Sequence, residues 1–523
     1  MARLLAAAAA TAAVFAGTAP VAHAADTVQI AQGSVRGVTE GQVSSFRGIP
    51  FAAPPTGELR WRPPAPPASW DGTMEATEFG ASCIQAPYSG QPPVAQSEDC
   101  LTANVWTPAG TAPGAKLPVM VWIYGGGFSI GSSALPDYDG THFAERGVVL
   151  VSFNYRLGRL GFFAHPALTA EHPEGALGNY GLMDAVAALQ WVQNNIAAFG
   201  GDPDNVTIFG ESAGGMTVNY LMTSPRSRGL FDKAISQSGF SRLPLPPIRG
   251  GGPASPEAQG TTFAEMLGIP GAGPDAAAAL RDLPAETVIT AGQDDRDRLS
   301  PTTPMLDGTY LVESPYDAFA AGREAAVPFI VGGTSWEASL VESSRTDPEG
   351  TLARLGEQRD RITGVYPGDT VKQAQDITTD LLVTEPARDA ARLHSAHGQP
   401  TYAYYFDHVP PALRDTRPGT PHAGEIVYVF DNLQDRPFRT GGQDHPPATE
   451  EDRRVADIAI GYWSNFAKTG APGTVAGVEW PTLAPDDTFM RFGPRQAHAV
   501  EHFRRDQLDA LVDLPPSLRV PAM

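Results

Sequence analysis

The chain has 523 residues, of which 42% are hydrophobic and 18% are charged, a composition typical of a large globular protein. Its formal net charge of −21 at pH 7 argues against nucleic acid and anionic membranes as partners. The sequence contains two cysteines and no recognisable cluster of metal ligands.

The first 24 residues have the pattern of a secretory signal peptide. Arg3 is followed by an apolar run from Leu4 to Gly17 and then by the cleavage pattern Ala22-His23-Ala24. The apolar run is shorter than the ~20 residues that a membrane span needs. We therefore expect cleavage near Ala24, secretion, and a mature protein without a stable membrane anchor.

The mature chain, residues 25–523, is expected to form one domain. Short apolar pieces alternate with glycine over Thr27–Arg47, which predicts a small antiparallel sheet, whereas Phe46–Pro66 is too rich in proline for regular structure. Seven later segments are predicted to be strands: Cys100–Trp106, Leu117–Tyr124, Val148–Phe153, Val206–Phe209, Lys233–Gln237, Pro328–Gly332 and Thr401–Phe406. Leu117–Tyr124 is nearly all apolar, as a strand that is buried on both faces should be.

Helical spacing of apolar residues predicts helices over Leu182–Phe199 and Val455–Phe466, and another helix that begins near Met216. Alternating strands and helices predict the α/β class, with a mostly parallel central sheet flanked by helices. The segment Ser241–Ala272 is rich in proline and glycine. We expect residues 241–300 to form a cap insertion over the sheet.

Two cysteines lie 17 residues apart, at Cys83 and Cys100. In an exported chain this spacing favours one disulfide over two free thiols. A loop of that size would stabilise the fold by about 3 kcal/mol in the chain-entropy model.

The stretch Gly210-Glu211-Ser212-Ala213-Gly214 lies between a predicted strand and a predicted helix. G-x-S-x-G in this context is the signature of a nucleophile elbow, a strained turn that presents the serine above the sheet. Ser129 lies in a second G-x-S-x-G, but loop residues follow it. Context therefore favours Ser212 as the nucleophile.

A serine nucleophile needs a base, and the base needs an orienting acid, in the chain order serine, acid, histidine. His422 and Glu337 each follow a predicted strand, where sites form in open α/β sheets. Six other histidines also follow Ser212 in the chain and are candidates for the base: His394, His397, His408, His445, His498 and His502.

Glycines also follow a predicted strand at Gly125-Gly126-Gly127. Because they lack Cβ atoms, their N–H groups can approach a substrate closely. With the N–H of Ala213, they could form an oxyanion hole of three donors, each typically worth ~2.7–4 kcal/mol. An ordinary glycine turn remains the alternative.

These motifs resemble those of the type-B carboxylesterases of the α/β-hydrolase superfamily, the group that includes cholinesterases and bacterial para-nitrobenzyl esterases. The segment Phe199–Gly215 is similar to the family's serine signature without a gap, and Glu98–Pro108 resembles its second signature. Two residues depart from the family's pattern. Ala103 is smaller than the branched residue that is usual at that position, and Tyr124 stands where the family often has histidine. The likeness extends over essentially the whole mature chain.

The resemblance implies an α/β-hydrolase fold with Ser212 as nucleophile, Glu337 as acid and His422 as base. It also implies oxyanion donors at Gly126, Gly127 and Ala213, a Cys83–Cys100 bridge, and supporting roles for Glu211 and Ser238. In cholinesterases a tryptophan within the bridged loop binds choline. Here Tyr88 is the only aromatic residue of that loop, which argues against choline esters.

We therefore expect a secreted serine carboxylesterase that acts on a small-molecule ester without a cofactor or metal, with a monomer favoured. One alternative is a lipase that acts on long acyl chains, although the polar bridged loop disfavours a large apolar lid. The other is a catalytically silent binding protein. Such proteins usually lack a residue of the triad, and here all three positions are filled.

Overall fold

The structure is a computed structural model. It describes residues 27–87, 95–172, 175, 177–240, 242–250, 252–292, 299, 302–341, 347–440 and 443–519. The predicted signal peptide and Tyr88 lie outside the described residues.

Strands alternate with helices along most of the described chain. In chain order they are β1 (Thr27–Ile30), β2 (Gly33–Arg36), β3 (Val38–Glu40), β4 (Val43–Pro50), β5 (Thr73–Glu75), β6 (Ser82–Cys83), β7 (Gln96–Ser97), β8 (Thr102–Pro108), β9 (Leu117–Ile123), β10 (Val149–Phe153), β11 (Gly201–Glu211), β12 (Lys233–Gln237), β13 (Phe329–Thr334), β14 (Thr401–Phe406), β15 (Phe438–Thr440), β16 (Gln443–His445), β17 (Thr474–Val475), β18 (Val478–Glu479), β19 (Phe489–Phe492) and β20 (Ala497–Val500).

Eleven strands form one sheet in the order β20-β19-β14-β13-β12-β11-β9-β10-β8-β4-β3. From β19 to β10 every neighbouring pair is parallel, and the flanking strands on both sides pair antiparallel. The central strands are buried along most of their length, because helices cover both faces. The predicted mostly parallel sheet is confirmed.

The N-terminal segment divides between two sheets. β1 and β2 pair antiparallel as predicted, and β5 adds to β2 in parallel. β3 and β4 instead join the large sheet through β8, so the predicted small sheet over Thr27–Arg47 is only partly right. β4 also extends into the segment that was expected to be irregular. Its buried Phe46 and Ile49 explain the pairing, since they pack into the main core.

Helices of at least eight residues cover Tyr180–Asn195, Ala213–Thr223, Pro256–Met266, Pro274–Arg281, Thr370–Thr379, Glu385–Ala396, Glu450–Thr469 and Arg505–Val512. Shorter ones cover Thr141–Glu145, Gly158–Gly161, Pro166–Thr169, Ala285–Thr290, Pro315–Ala320, Pro348–Ala353, Arg359–Thr363 and Ile426–Val429. A π-helical turn, Asp380–Thr384, joins two of the longer helices.

The predicted cap region, residues 241–300, contains three of these helices. Pro256–Met266, Pro274–Arg281 and Ala285–Thr290 bury Phe263, Leu280 and other apolar side chains in a second core. Trp61 and Phe163 complete that core from outside the region. The division of the chain into one domain with a cap insertion stays a prediction.

No helix in the described part of the chain has the length and apolar character needed to cross a bilayer.

Candidate active site

Ser212 lies at the sharp turn between β11 and the helix Ala213–Thr223. Its backbone has φ 55° and ψ −124°, a region that non-glycine residues rarely adopt. Its N–H donates to Gln237 O at 3.0 Å, and its carbonyl accepts from Met216 N at 2.8 Å. The neighbouring strand β12 and the helix that follows Ser212 therefore hold the strained residue in place.

Close packing explains the glycines on either side of Ser212. A Cβ at Gly210 would lie 2.5 Å from Ile123 O, and one at Gly214 would lie 1.9 Å from the same oxygen. Any larger side chain would push the turn away from β9. The requirement for small residues, which the motif predicts, therefore has a direct steric cause.

The glycine-rich turn after β9 lies beside Ser212. A Cβ at Gly125 would be 3.0 Å from Ser212 Cβ, and one at Gly126 would be 2.1 Å from Ile130 O. Gly127 has φ 60°, which favours glycine. Among the hydrogen bonds of the described residues, none uses the N–H of Gly126, Gly127 or Ala213, so these donors can serve a ligand.

A disulfide-bridged segment supports this glycine turn. Cys83 and Cys100 form a disulfide with an S–S length of 2.07 Å. Gln85 Nε2 donates to Gly131 O at 2.8 Å, while Gly131 N donates to Gln85 Oε1 at 2.8 Å. Ser82 Oγ donates to Ser132 Oγ at 2.6 Å. Side-chain hydrogen bonds thus connect the bridged segment to Gly131 and Ser132, which end the glycine-rich turn.

Glu337 and His422 meet at the carboxyl ends of β13 and β14. His422 Nδ1 lies 2.5 Å from Glu337 Oε2. Hydrogen bonds between the two loops fix this pairing: Trp336 N donates to Thr420 O at 2.9 Å, and His422 N donates to Ser339 Oγ at 2.9 Å. The imidazole is therefore oriented by its contact with Glu337 and by the hydrogen bond that the His422 backbone N–H donates to Ser339.

Glu337 is fully buried and is held as a carboxylate by its donors. Ser238 Oγ donates to Oε1 at 2.6 Å, and the N–H and hydroxyl of Thr334 donate to the same oxygen at 2.7 and 3.0 Å. Burial raises the pKa of Glu337, but His422 and these hydrogen bonds outweigh burial and lower it. The implied contact between Ser238 and the acid is present.

Two more buried carboxyl groups lie near His422. Glu211 Oε1 is 3.2 Å from His422 Nε2. Glu425 accepts from Gln237 Nε2 at 3.4 Å and from the Tyr404 hydroxyl at 3.5 Å. Burial raises the pKa of Glu211 to about 8 and that of Glu425 to about 7. Burial alone lowers the pKa of His422, but the surrounding carboxyl groups, Glu211 foremost, outweigh burial and raise it.

A cavity of about 740 Å³ gives access to these groups. Ser212, Glu337 and His422 line it together with Gly126, Gly127 and Ala213, so the structure brings every predicted triad and oxyanion residue to one place. The remaining wall is largely apolar: Phe128, Leu135, Met216, Leu245, Leu382 and Ile426 are examples. Leu382 comes from the π-helical turn.

The alternative candidates lie elsewhere. Ser129 is exposed in a turn, where its hydroxyl donates to Gly127 O at 3.2 Å. Of the seven candidate histidines, His422 alone lines the cavity in the described part of the chain. His394 contacts Glu324, His408 contacts Asp452, and His445 stacks on Phe438.

Two residues of the site escaped the sequence analysis. Glu425 lies three residues after His422, and that spacing was its only sequence signal. Asp137 lines the cavity from the turn Pro136–Tyr138. It carries no motif, because its place at the cavity depends on packing against distant segments.

The sequence model of the carboxylesterase family matches residues 24–366 and 363–511. The fumonisin B1 esterase of Sphingopyxis macrogoltabida is 39% identical over 492 residues, which cover 91% of this chain and 88% of that protein. The para-nitrobenzyl esterase of Bacillus subtilis is 36% identical over 472 residues, which cover 86% of this chain and 91% of that protein.

A solved structure of PNB esterase superposes with a TM-score of 0.77 at 33% identity, and covers 92% of this chain and 99% of that one. The fold is thus that of an α/β-hydrolase, and the similar proteins identify the class as carboxylic ester hydrolases. The chain belongs to the carboxylesterase family.

Proposed function

We propose that the protein is a secreted serine carboxylesterase that works through Ser212, His422 and Glu337 and an acyl-enzyme intermediate. The observation that carries the proposal is the 2.5 Å contact between His422 Nδ1 and Glu337 Oε2 in a cavity that Ser212 also lines. An acid that orients a histidine in the same cavity as a serine is the arrangement that nucleophilic acyl transfer needs.

In the proposed reaction, Ser212 Oγ attacks the ester carbonyl while His422 Nε2 takes its proton. The N–H groups of Gly126, Gly127 and Ala213 stabilise the oxyanion, and His422 then protonates the leaving alcohol. Water, deprotonated by His422, releases the acid and regenerates Ser212. The Glu337 carboxylate stabilises the imidazolium that forms in each half-reaction.

The substrate is proposed to be an ester with a substantial apolar part. A cavity of about 740 Å³ with mostly apolar walls favours burial of such a part. The names of the similar proteins describe esterases, which supports ester bonds as the target.

Replacing Ser212 with alanine tests the nucleophile. Because the triad acts as a unit, we expect Ser212→Ala to lower kcat on a p-nitrophenyl ester by roughly 10⁶. Ser129→Ala is the matched control, since Ser129 occupies the same motif but is exposed, and its activity should stay within about twofold. Retention of most activity in Ser212→Ala would refute the proposed mechanism.

We also propose export after cleavage near Ala24. The signal-peptide pattern supports this, and a Cys83–Cys100 disulfide is typical of oxidising compartments.

A further inference from the structure

Asp137 lines the cavity and carries a carboxyl group that the proposed mechanism does not use. The acidic residues that line the cavity are Asp137, Glu211 and Glu337. Glu337 and Glu211 both lie beside His422. The Asp137 side chain, in contrast, makes no hydrogen bond or ion pair with any residue that the structure describes.

The lack of a partner for the Asp137 side chain is unusual, because its surroundings disfavour the charged form of the carboxyl group. Burial raises its pKa to about 7, and no positive charge among the described residues offsets that effect. Asp137 is half-buried, and a carboxyl group that is partly removed from water without a partner destabilises a protein. Since Asp137 lies on the wall of a cavity, a ligand in that cavity can supply the missing partner.

The backbone around Asp137 is firmly held. The side-chain amide of Asn432 donates to Pro136 O at 3.3 Å, to Asp137 O at 3.0 Å and to Asp139 O at 3.1 Å. The ring of the next residue, Tyr138, contacts Trp122 at a centroid distance of 5.1 Å. The backbone that carries the carboxyl group is therefore held in place, which reduces the entropy that ligand binding would cost.

The charge of the cavity favours a cation as that partner. No lysine or arginine is among the described residues that line it. The chain as a whole carries a formal net charge of −21, so its long-range field attracts cations. An anionic substrate would meet repulsion from Asp137, and no lysine or arginine among the described lining residues would offset that repulsion.

We propose that Asp137 is a specificity-determining residue that binds a protonated amine of the ester substrate. The amine donates a hydrogen bond to the carboxylate, while the apolar remainder of the substrate packs against the cavity wall. This inference rests on the proposed ester hydrolysis and names the substrate class: esters with an ammonium group in their acyl or alcohol part.

Two pairs of isosteric esters test this. In the first, p-nitrophenyl esters have an acyl chain that ends in a dimethylammonium or an isopropyl group. In the second, the same two groups end the alcohol of a butyrate ester. Rates are compared at about pH 8, where a carboxyl group with a pKa near 7 is ionised.

The measured quantity is the ratio of two kcat/KM values, that of the ammonium ester divided by that of the neutral ester. For at least one pair, Asp137→Asn should lower this ratio about tenfold, mainly by raising KM for the ammonium ester. That is the size expected for a hydrogen bond between charged groups. Asp137→Glu should retain part of the ratio. Asp71→Asn is the control for net charge. It removes an exposed carboxylate that does not line the cavity, and it should leave the ratio unchanged.

An unchanged ratio in both pairs for Asp137→Asn would overturn the inference, as would equal losses on the ammonium and neutral esters. A ratio that falls equally in Asp71→Asn would also overturn it, because the effect would then be one of net charge. Hydrolysis of the neutral esters by the wild-type protein, and at the same rate by Asp71→Asn, shows that the proposed ester hydrolysis is intact. A missing ammonium effect then counts against the inference alone.

Discussion

At the scale of single residues, three buried carboxyl groups surround His422 in different ways. Glu337 contacts Nδ1 at 2.5 Å, Glu211 lies 3.2 Å from Nε2, and Glu425 acts from farther away. All three raise the pKa of the imidazole. A histidine that acts as a base must be neutral, so each carboxylate shifts the onset of activity toward higher pH.

Glu211→Gln should therefore move the acidic limb of the kcat/KM profile to lower pH. Removing the carboxylate beside Nε2 destabilises the imidazolium, which lowers the pKa of His422, by about one unit for ~1.4 kcal/mol of lost interaction. Activity against p-nitrophenyl butyrate over a range of pH measures the shift. Glu425→Gln is the control and should shift the limb less. An acidic limb that moves to higher pH in Glu211→Gln would contradict the expectation.

The sequence predicts some residues of the site and misses others for a physical reason. Ser212 is found because a nucleophile elbow imposes steric rules on its neighbours, and these rules are visible as glycines. Glu425 and Asp137 are missed because their pKa shifts come from burial by segments far away in the chain. Nothing local in the sequence marks such burial.

At the scale of elements, the bridged segment and the glycine turn form one supported unit. Gln85, two residues after Cys83, forms two hydrogen bonds with the backbone of Gly131. Gly131 ends the turn that carries the predicted oxyanion donors Gly126 and Gly127. The segment that the disulfide closes therefore positions groups on which the transition state would depend.

Gln85→Ala should accordingly lower kcat about tenfold with a smaller change in KM, because misplaced oxyanion donors weaken transition-state binding most. Gln193→Ala is a matched control. Gln193 also forms two hydrogen bonds with the backbone, donating to Pro203 O and Leu230 O, and it does not line the cavity. Both variants should lose about 1–3 kcal/mol of unfolding free energy, measured in urea. Equal kcat in the two variants would contradict a positioning role for Gln85.

Element boundaries show where sequence patterns suffice. β12 and β14 occupy the predicted segments Lys233–Gln237 and Thr401–Phe406, and both strands are buried at every position in the centre of the sheet. β19 and β20 were not predicted. β20 is the edge strand, with β19 beside it, and β20 is only partly buried, so its sequence carries little apolar signal.

At the scale of the whole molecule, the Cys83–Cys100 disulfide is consistent with the proposed export, because disulfides persist in oxidising compartments. If export follows the predicted cleavage, N-terminal sequencing of the secreted protein should begin at Ala25. Intact mass should agree with a closed disulfide and therefore no free thiol. Retention inside the cell with Met1 still present would contradict export.

The central claim is that Ser212 is the nucleophile of an esterase, and stoichiometric labelling tests it most directly. A p-nitrophenyl dialkyl phosphate should release one equivalent of p-nitrophenol per chain, abolish ester hydrolysis, and leave one dialkylphosphoryl group on the peptide that contains Ser212. Labelling of the Ser129 peptide instead, or full activity after exposure to the reagent, would contradict the claim.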